Sequence, residues 1–279
     1  MTYAYLLVET PHPGVARIVL NRPERRNAQN PTLLYELDEA LNAAAQDNTV
    51  KVIILAANGP DFSAGHDVTE ALAPIPGPPV ATMHGAFDGE GVEGRHAFEC
   101  EAYLGLCRRW RDLPKPTIAQ AHGRAIAGGL MLLWPMDMII AGESATFSDP
   151  TAALGLNGHE YFVHTWELGA RKAKELLFTG QALSAREAHQ LGMVNHVVAD
   201  DELAQFTLDM AARIAQMPEF ALRLAKTSVN NSLRAQGQDV AVDAAFALHT
   251  AGHANNLARY GVIGDPNGSA RMRELSRTR

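Results

Sequence analysis

The chain is poor in the residues that define several common protein classes. Only two of its 279 residues are cysteine. Cys100 and Cys107 are too few and too close together for a disulfide framework, which favours a reducing, cytoplasmic setting. No window reaches about 18 uninterrupted apolar residues, and the first residues show no basic run followed by an apolar stretch. We therefore expect a cytoplasmic protein with no membrane span and no export signal.

Excess positive charge is also lacking. The sequence has 24 basic and 31 acidic side chains, for a formal net charge of −7, and no basic stripe interleaved with aromatic residues. This balance argues against nucleic acid or an anionic membrane as partner, so an anionic ligand must be bound by a local site. With 47% hydrophobic residues, the chain is long enough to bury a large core.

Three chemical signatures are missing as well. No Gly-Lys-Ser/Thr follows the glycine-rich turns, which excludes a P-loop for nucleotides. There is no HExxH pattern, and neither cysteine has zinc-ligand spacing, so we predict no metal site. Ser63 and Ser148 stand outside any Gly-X-Ser-X-Gly context, so a serine nucleophile is not indicated.

The pattern along the chain is an alternation of strands and helices, and it predicts an α/β fold. Strands are expected at residues 5–9, 15–20, 52–56, 117–121 and 138–141. Asn30 and Pro31 are typical of a helix N-cap and first helical residue, and they open a helix to about residue 45. Residues 71–95 are rich in proline and glycine and predict a long loop, with helix resuming at about His96.

The character of the sequence changes near residue 200. Three helical stretches follow, at about residues 202–217, 219–234 and 239–257, with no strand between them. We predict an α/β core over residues 1–200 and a helical C-terminal region over residues 201–279.

Two turns carry the strongest functional signal. Residues 61–68, DFSAGHDV, follow a buried strand, and residues 122–130, HGRAIAGGL, join a strand to an apolar helix. Small residues allow tight bends that expose backbone N–H groups, and the first N–H groups of a helix favour negative charge. Each turn alone is weak evidence, because glycine turns also occur where helices simply pack on sheets.

The two turns together with three further motifs resemble the crotonase superfamily, the enoyl-CoA hydratase/isomerase family. The further motifs are LNRPERRNA at residues 20–28, DMIIAGESATF at 137–147, and FTGQALSAREA at 178–188 followed by LGMVN at 191–195. The resemblance covers about residues 5–260.

The resemblance implies a spiral of repeated ββα units with a helical C-terminal region that mediates trimers, often paired into hexamers. It implies a lyase or isomerase of fatty acid metabolism that acts on an acyl-CoA thioester, with coenzyme A part of the substrate and no permanently bound cofactor. The backbone N–H groups of His66 and Gly128 would form the oxyanion hole around the thioester carbonyl. The His66 imidazole has no assigned role in this picture.

The resemblance also implies a path for coenzyme A and a wall for the acyl pocket. Arg25 or Arg26 could bind a phosphate, since a guanidinium pairs with phosphate oxygens, although both could equally be solvated. The residues expected along the path and the wall are Arg25, Arg26, Ala28, Ala64, Asp67, Val68, Met131 and Thr151.

The family pattern breaks at the two hydratase glutamates. Met131 and Thr151 occupy those positions, and neither can act as a carboxylate base. Alignment on Gly155 instead points to His159 and Glu160, with Glu160 the preferred base and His159 its partner or a substrate donor. The alternative is that Glu160 only complements a helix dipole.

Weaker candidates and rival functions complete the set of hypotheses. Asp149, His164 and His96, which lies beside Glu99, are further candidates for acid/base chemistry. The rivals to a lyase or isomerase are a hydrolase of thioesters or of carbon–carbon bonds in diketones, and a non-catalytic acyl-CoA-binding protein.

Overall fold

The computed structural model describes residues 2–67, 83–85 and 87–275. Nine strands lie in two sheets. They are β1 (Leu6–His12), β2 (Val15–Leu20), β3 (Val52–Ala57), β4 (Thr117–Ala121), β5 (Arg124–Ile126), β6 (Met138–Gly142), β7 (Thr146–Ser148), β8 (Leu183–Ser184) and β9 (His196–Val198).

The larger sheet has the order β1-β2-β3-β4-β6-β9 and the smaller one β5-β7-β8. β1 and β2 form an antiparallel hairpin, and every later pair in the larger sheet is parallel, beginning with Val15 opposite Val52. β4 and β6 each continue into a short strand of the smaller sheet, β5 and β7, which also pair in parallel. The chain thus advances in repeated units, and the predicted α/β architecture is confirmed.

In the part of the chain that the structure describes, ten α-helices surround the sheets. They are α1 (Pro31–Gln46), α2 (Glu93–Glu99), α3 (Leu106–Arg111), α4 (Leu130–Leu133), α5 (His164–Thr179), α6 (Ala185–Gln190), α7 (Leu203–Ala215), α8 (Glu219–Ala235), α9 (Gln238–Tyr260) and α10 (Gly268–Leu275). A π-helical segment, Cys100–Gly105, joins α2 to α3. Among the described helices, none has the length and apolar character needed to cross a bilayer.

Local sequence explains several helix ends. Asn30 is the N-cap of α1, and its side chain accepts a hydrogen bond from the Leu33 N–H at 2.9 Å, as the Asn-Pro pair predicted. α2 begins at Glu93, three residues before the predicted start, with a backbone hydrogen bond from His96 to Val92. The rest of the predicted loop lies largely outside the described residues.

The core has two layers of apolar side chains, one on each face of the larger sheet. α1 buries Leu33, Leu37 and Leu41 against one face, and each such leucine contributes about 1.5–3 kcal/mol relative to exposure. On the other face, α7 packs Ala211 and Ala215 against β2 and β3. All six residues of β3 are buried, because helices cover both sides.

The C-terminal part is helical from α7 onward, and among the described residues no strand follows β9. The predicted division at residue 200 stays a prediction, since α7 covers the sheet while α8, α9 and α10 lie further along. α10 was not predicted from the sequence. α9 is the element that matters for the site, because it brings two histidines to the core.

Candidate active site

The two glycine turns adjoin in space. Ser63 donates its N–H to Arg124 O at 3.1 Å, and Ile126 donates to Ser63 O at 3.0 Å. A Cβ atom built on Gly65 would lie only 2.6 Å from Ile126 O and 3.2 Å from Gly128 N. A side chain at Gly65 would therefore separate the turns, and glycine there permits their close approach.

The backbone at the meeting point is strained. Ala127 has a φ of 48°, which a residue with a side chain rarely adopts, and it precedes Gly128 in a 3-10 turn. Within the described residues, neither the His66 N–H nor the Gly128 N–H donates to a protein acceptor. The Gly128 carbonyl is held from the other side by Gln29 Nε2 at 2.6 Å. This arrangement leaves two backbone donors close together.

The loop that contains Arg25 and Arg26 runs beside the first of these turns. Ala64 donates its N–H to Arg26 O at 2.9 Å. Arg25 and Arg26 are exposed, and the Arg26 Nε atom is 3.8 Å from Asp61. The structure thus brings Arg26 and Ala64, two of the predicted coenzyme A residues, together at one rim.

Other contacts stiffen this rim. Asp67 N–H donates to Gln29 O at 2.8 Å, and its carboxylate forms a buried ion pair with Arg22 at 2.7 Å. Ala28 is partly exposed between the arginines and Gln29. Val68, also predicted here, lies outside the described residues.

The His66 imidazole joins a group of buried ionisable residues, although the resemblance gave it no role. Its Nε2 atom is 3.1 Å from Glu160 Oε2, and its ring stacks on Tyr103 with centroids 3.9 Å apart. The other carboxylate oxygen of Glu160, Oε1, lies 3.5 Å from His249 Nε2. We call His66, Glu160 and His249 the cleft group.

A second carboxylate lies next to the cleft group. Glu99 is fully buried and accepts from Arg95 Nε at 2.5 Å and from His253 Nε2 at 3.1 Å. His249 Nε2 is 3.9 Å from its other oxygen. Since His249 Nδ1 donates to Gly158 O and His253 Nδ1 to Ile263 O, backbone carbonyls fix both rings.

The charges of these residues follow from their surroundings. Burial opposes ionisation of Glu160, but the imidazoles of His66 and His249 outweigh it and hold the pKa of Glu160 well below its ordinary value. Burial is similarly outweighed by Arg95 and His253 at Glu99, whose pKa is lowered. The pKa of His253 is raised, because the hydrogen bond and charge of Glu99 exceed the effect of burial. Both carboxylates are therefore ionised at neutral pH.

His159 points to a different set of residues from its neighbour Glu160. Its ring lies 4.6 Å from that of His164 and 5.0 Å from that of Trp134. Burial lowers the pKa of His159 to about 3, so its ring is neutral at physiological pH. We call Asp149, His159 and His164 the enclosed group.

Asp149 is the centre of the enclosed group, and its oxygens are fully used. Oδ2 accepts from His164 Nε2 at 2.7 Å and from the His159 N–H at 3.1 Å, and Oδ1 accepts from the N–H and hydroxyl of Thr151. Burial is outweighed by these donors, above all His164, so the pKa of Asp149 is strongly lowered. Thr151 thus holds the Asp149 carboxylate in place through two hydrogen bonds.

Met131 lies in α4 and is buried, with 2% exposure. Its carbonyl accepts a weak hydrogen bond from Cys107 Sγ at 3.4 Å. His96 lies on the surface, where Nδ1 is 2.9 Å from Thr250 Oγ1. Its role in acid/base chemistry stays a prediction.

A cavity of about 460 Å³ lies between α8 and the core, lined in part by Trp134, Tyr161 and Glu167. Burial raises the pKa of Glu167 to about 7, against the opposing effect of Arg111. Among the described residues that line this cavity, none belongs to the turns or to the cleft group. We therefore place the candidate active site at the two glycine turns and not in this cavity.

Two sets of side chains have the composition of a metal site. In Glu99, His249 and His253, and in Asp149, His159 and His164, the ligand atoms of each set lie within 4.8 Å of one another. However, Glu99 is already neutralised by Arg95 and His253, and Asp149 accepts four hydrogen bonds. Protein donors thus account for both oxygens of Asp149, whereas Oε2 of Glu99 has no hydrogen-bond partner among the described residues and lies 3.9 Å from His249 Nε2.

The mixed sheet, the helical C-terminal part and the adjoining turns define a crotonase-type protein. The chain belongs to the enoyl-CoA hydratase/isomerase family, whose model matches residues 10–263. It is similar to the putative enoyl-CoA hydratase EchA13 of Mycobacterium tuberculosis, with 46% identity over 261 residues that cover 91% of this chain and 82% of the relative. The family resemblance seen in the motifs is thereby confirmed.

Two further comparisons agree with this assignment. The crystal structure of a probable enoyl-CoA hydratase from Mycobacterium smegmatis has a TM-score of 0.85 and 49% identity, covering 94% of this chain and 100% of that one. A 1,2-epoxyphenylacetyl-CoA isomerase of Escherichia coli is 34% identical over 227 residues, covering 78% of this chain and 79% of the relative. The fold is therefore crotonase-like, and the relatives include proteins named as hydratases and as an isomerase.

Several residues of the site were not found from the sequence. Arg95 and Glu99 are spaced four apart, as are His249 and His253, so each pair shares one helix face. That spacing was a usable signal. It could not show that the two faces meet, because Glu99 and His253 are 154 positions apart.

Proposed function

We propose that this protein binds an acyl-CoA thioester and stabilises its enolate in an oxyanion hole formed by the N–H groups of His66 and Gly128. The observation that carries the proposal is the close approach of two turns whose N–H groups have no protein acceptor among the described residues. One such donor typically contributes about 3–4 kcal/mol to a transition state. Membership of the enoyl-CoA hydratase/isomerase family supports the same substrate class.

The acid/base chemistry of this proposal is centred on Glu160, with His159 as its predicted partner. Met131 and Thr151 supply no carboxylate, so the two-glutamate addition of water is not available at those positions. Glu160 is ionised and linked directly to His66 of the oxyanion hole, which supports a role in moving the proton. A group that removes a proton and returns it to another carbon catalyses isomerisation. Because the two hydratase glutamates are absent, we favour isomerisation over hydration.

Coenzyme A is proposed to enter as part of the substrate, with no permanently bound cofactor. Its phosphates would lie along the rim of Arg25, Arg26 and Ala28, and its pantetheine arm along Ala64, Asp67 and Val68. Met131 and Thr151 would form part of the wall around the acyl group. The rim is supported by the backbone contacts that hold these described segments together.

The test is a panel of crotonyl-, branched, aromatic and dienoyl-CoA thioesters offered to the purified protein. Turnover without release of free thiol is expected, and chromatography of the products would separate isomers from hydrates. Release of free thiol would support the hydrolase instead. Cleavage of a diketone without coenzyme A would do the same for a carbon–carbon hydrolase, and tight binding without any turnover would support a non-catalytic binding protein.

We also propose a homotrimer or a dimer of trimers, acting in the cytoplasm in fatty acid metabolism. Exposed apolar side chains on α8 and α9, among them Phe220, Val240 and Leu248, support an assembly through the C-terminal helices. The location rests on the low cysteine content, both cysteines being free. Sedimentation equilibrium would test the assembly, and a monomer would contradict it.

A further inference from the structure

The His66 imidazole has three contacts that fix its orientation. Nε2 is 3.1 Å from Glu160 Oε2, and one ring face stacks on Tyr103. A Cβ atom built on Gly128 would lie 2.7 Å from Cε1, 2.8 Å from Nδ1 and 3.1 Å from Nε2, so the side of the ring that carries both nitrogens packs against Gly128. The imidazole therefore bridges the carboxylate and the second oxyanion turn.

The hydrogen bond to Glu160 determines which nitrogen of His66 can accept a proton. A carboxylate can only accept, so Nε2 carries the hydrogen that is shared with Glu160. In the neutral ring Nδ1 is then a lone pair, and among the described residues it has no hydrogen-bond partner. The available base atom thus lies next to the second oxyanion turn, 2.8 Å from a Cβ atom built on Gly128.

Exposure separates the two members of the pair. The Glu160 side chain is 3% exposed and that of His66 is 20% exposed. Both Glu160 oxygens also face imidazoles, His66 on one side and His249 on the other. The His66 ring is therefore the more accessible member of the pair, although its Nδ1 atom is itself buried.

We propose that the His66 imidazole, through Nδ1, is the group that removes the α-proton of the acyl-CoA, and that Glu160 is a positioning residue that orients it. This inference rests on the proposed function and deepens it. His66 then serves twice, with its backbone N–H on the oxyanion and its side chain on the proton. The sequence resemblance assigned only the backbone role.

The proposed step balances in atoms and charge. Nδ1 takes the proton from Cα of the acyl group, and the electron pair of the C–H bond becomes the enolate, whose oxygen lies between the two N–H groups. The imidazolium is stabilised by the Glu160 carboxylate at Nε2, as in other histidine–carboxylate pairs. Return of the proton to another carbon completes an isomerisation, and exchange with solvent leaves a deuterium label when the solvent is D₂O.

The test uses butyryl-CoA in D₂O, since α-hydrogen exchange reports enolate formation without a requirement for the physiological acyl group. Wild type is compared with His66→Ala and His66→Gln, which keep the residue 66 backbone N–H, and with His12→Ala, an exposed histidine of the β1–β2 hairpin. Mass spectrometry measures the exchange rate. Infrared spectra of acyl-CoA labelled with ¹³C at the carbonyl measure polarisation by the oxyanion hole.

We expect both His66 variants to bind butyryl-CoA and to keep the carbonyl shift, while exchange falls at least about 100-fold, the lower range for loss of an acid/base group. His12→Ala should exchange like wild type. Exchange within about threefold of wild type in a folded His66 variant would overturn the inference and return the proton to Glu160. Absence of carbonyl polarisation in the wild type would instead overturn the proposed function.

A second pair of measurements separates positioning from direct catalysis. Added imidazole should restore part of the exchange in His66→Ala, because a free base can occupy the space of the ring. Glu160→Gln should lower exchange about 10²- to 10⁴-fold, since an amide no longer selects the Nε2–H form of His66. Rescue of Glu160→Gln by acetate but no rescue of His66→Ala by imidazole would contradict the assignment.

Discussion

The cleft group and the enclosed group each combine one carboxylate with two imidazoles, but they differ in what these side chains contact. In the enclosed group all the hydrogen-bonding capacity of Asp149 is directed inward, to Thr151, His159 and His164. In the cleft group the His66 side chain is 20% exposed, whereas His159 and His164 are buried, although rings in both groups have nitrogens without a partner among the described residues. Exposure of the ring is thus the difference on which the proposed roles depend, structural support for the enclosed group and reaction for the cleft group.

The largest effect should come from breaking the enclosed group with Asp149→Asn. An amide nitrogen would face donors, and His164 would lose its charged partner, so the free energy of unfolding should fall by about 3–5 kcal/mol. Urea unfolding followed by circular dichroism measures this. Glu160→Gln, measured in the same way, should lower the free energy of unfolding by less than Asp149→Asn does. A larger loss of stability in Glu160→Gln would contradict the assignment of structural support to the enclosed group.

The second-largest effect is expected from Gly128→Ala, in the second of the two glycine turns. The new methyl group would lie 2.7 Å from His66 Cε1 and force the ring away from Glu160. Exchange of the butyryl-CoA α-hydrogens should fall about 10²- to 10⁴-fold, the usual range for loss of an acid/base group, because the residue 128 N–H is kept while the His66 ring is displaced. Gly264→Ala is the matched control, since a Cβ at Gly264 meets no atom within 4 Å and the residue has no positive φ. Equal rates in the two variants would argue against the Gly128 site.

A smaller effect is expected from pH, through His159. Its pKa is about 3 in the folded protein against an ordinary 6.5, so between these values the unfolded chain binds more protons and stability falls as the pH falls. The slope should reach about 1.4 kcal/mol per pH unit. Between pH 6.5 and 4.5 the carboxylates with lowered pKa and His253, with a raised pKa, contribute little, but Glu167, whose pKa is raised to about 7, contributes a slope of the opposite sign. The contribution of His159 is therefore measured as a difference between the wild type and a variant that lacks this histidine.

His159→Phe keeps a ring between Trp134 and His164 without a titrating group. Thermal melts of this variant and of the wild type at pH 7 and pH 5 would measure the difference. The wild type should lose more stability than the variant on acidification. An identical loss in both proteins would show that His159 does not titrate as an enclosed residue.

The smallest effect should come from the rim, through Arg26→Ala. Arg26 is 59% exposed, so its interaction with a phosphate is screened by solvent and is worth about 1 kcal/mol or less. Calorimetry should show coenzyme A binding weakened about fivefold or less, and more at low salt than at high salt. Arg17→Ala, whose side chain pairs with Glu9, is the control. An unchanged affinity in Arg26→Ala would leave Arg25 as the phosphate candidate.

Local signals predicted the fold well because their physics is local. Asn30 and Pro31 start α1 as predicted, and Val52 to Ala56 lie within a fully buried strand. The turns at His66 and Gly128 were also found, since glycine and small residues mark sharp bends. The enclosed group was anticipated only as separate candidates at Asp149, His159 and His164.

The rest of the site depends on contacts that no local pattern encodes. His249 and Glu160 are 89 positions apart along the chain, and His249 lies in a helix that the sequence identified only as a C-terminal element. The role of the His66 ring was missed for a related reason, because the matched motif describes its backbone. Side-chain direction at His159 and Glu160 depends on a turn in which Gly158 has a φ of 147°, and it separates these neighbours into different groups.

α9 has one more consequence, for the order in which the protein is made. During synthesis from the N-terminus, Glu99 and Glu160 emerge long before His249, His253 and the Ile263 carbonyl that holds His253. A nascent chain of about 240 residues therefore contains both carboxylates and both glycine turns without two of their imidazole partners. Until α9 follows, Glu99 has Arg95 and Glu160 has His66 as partners, so the electrostatic balance of the site is completed only late in synthesis.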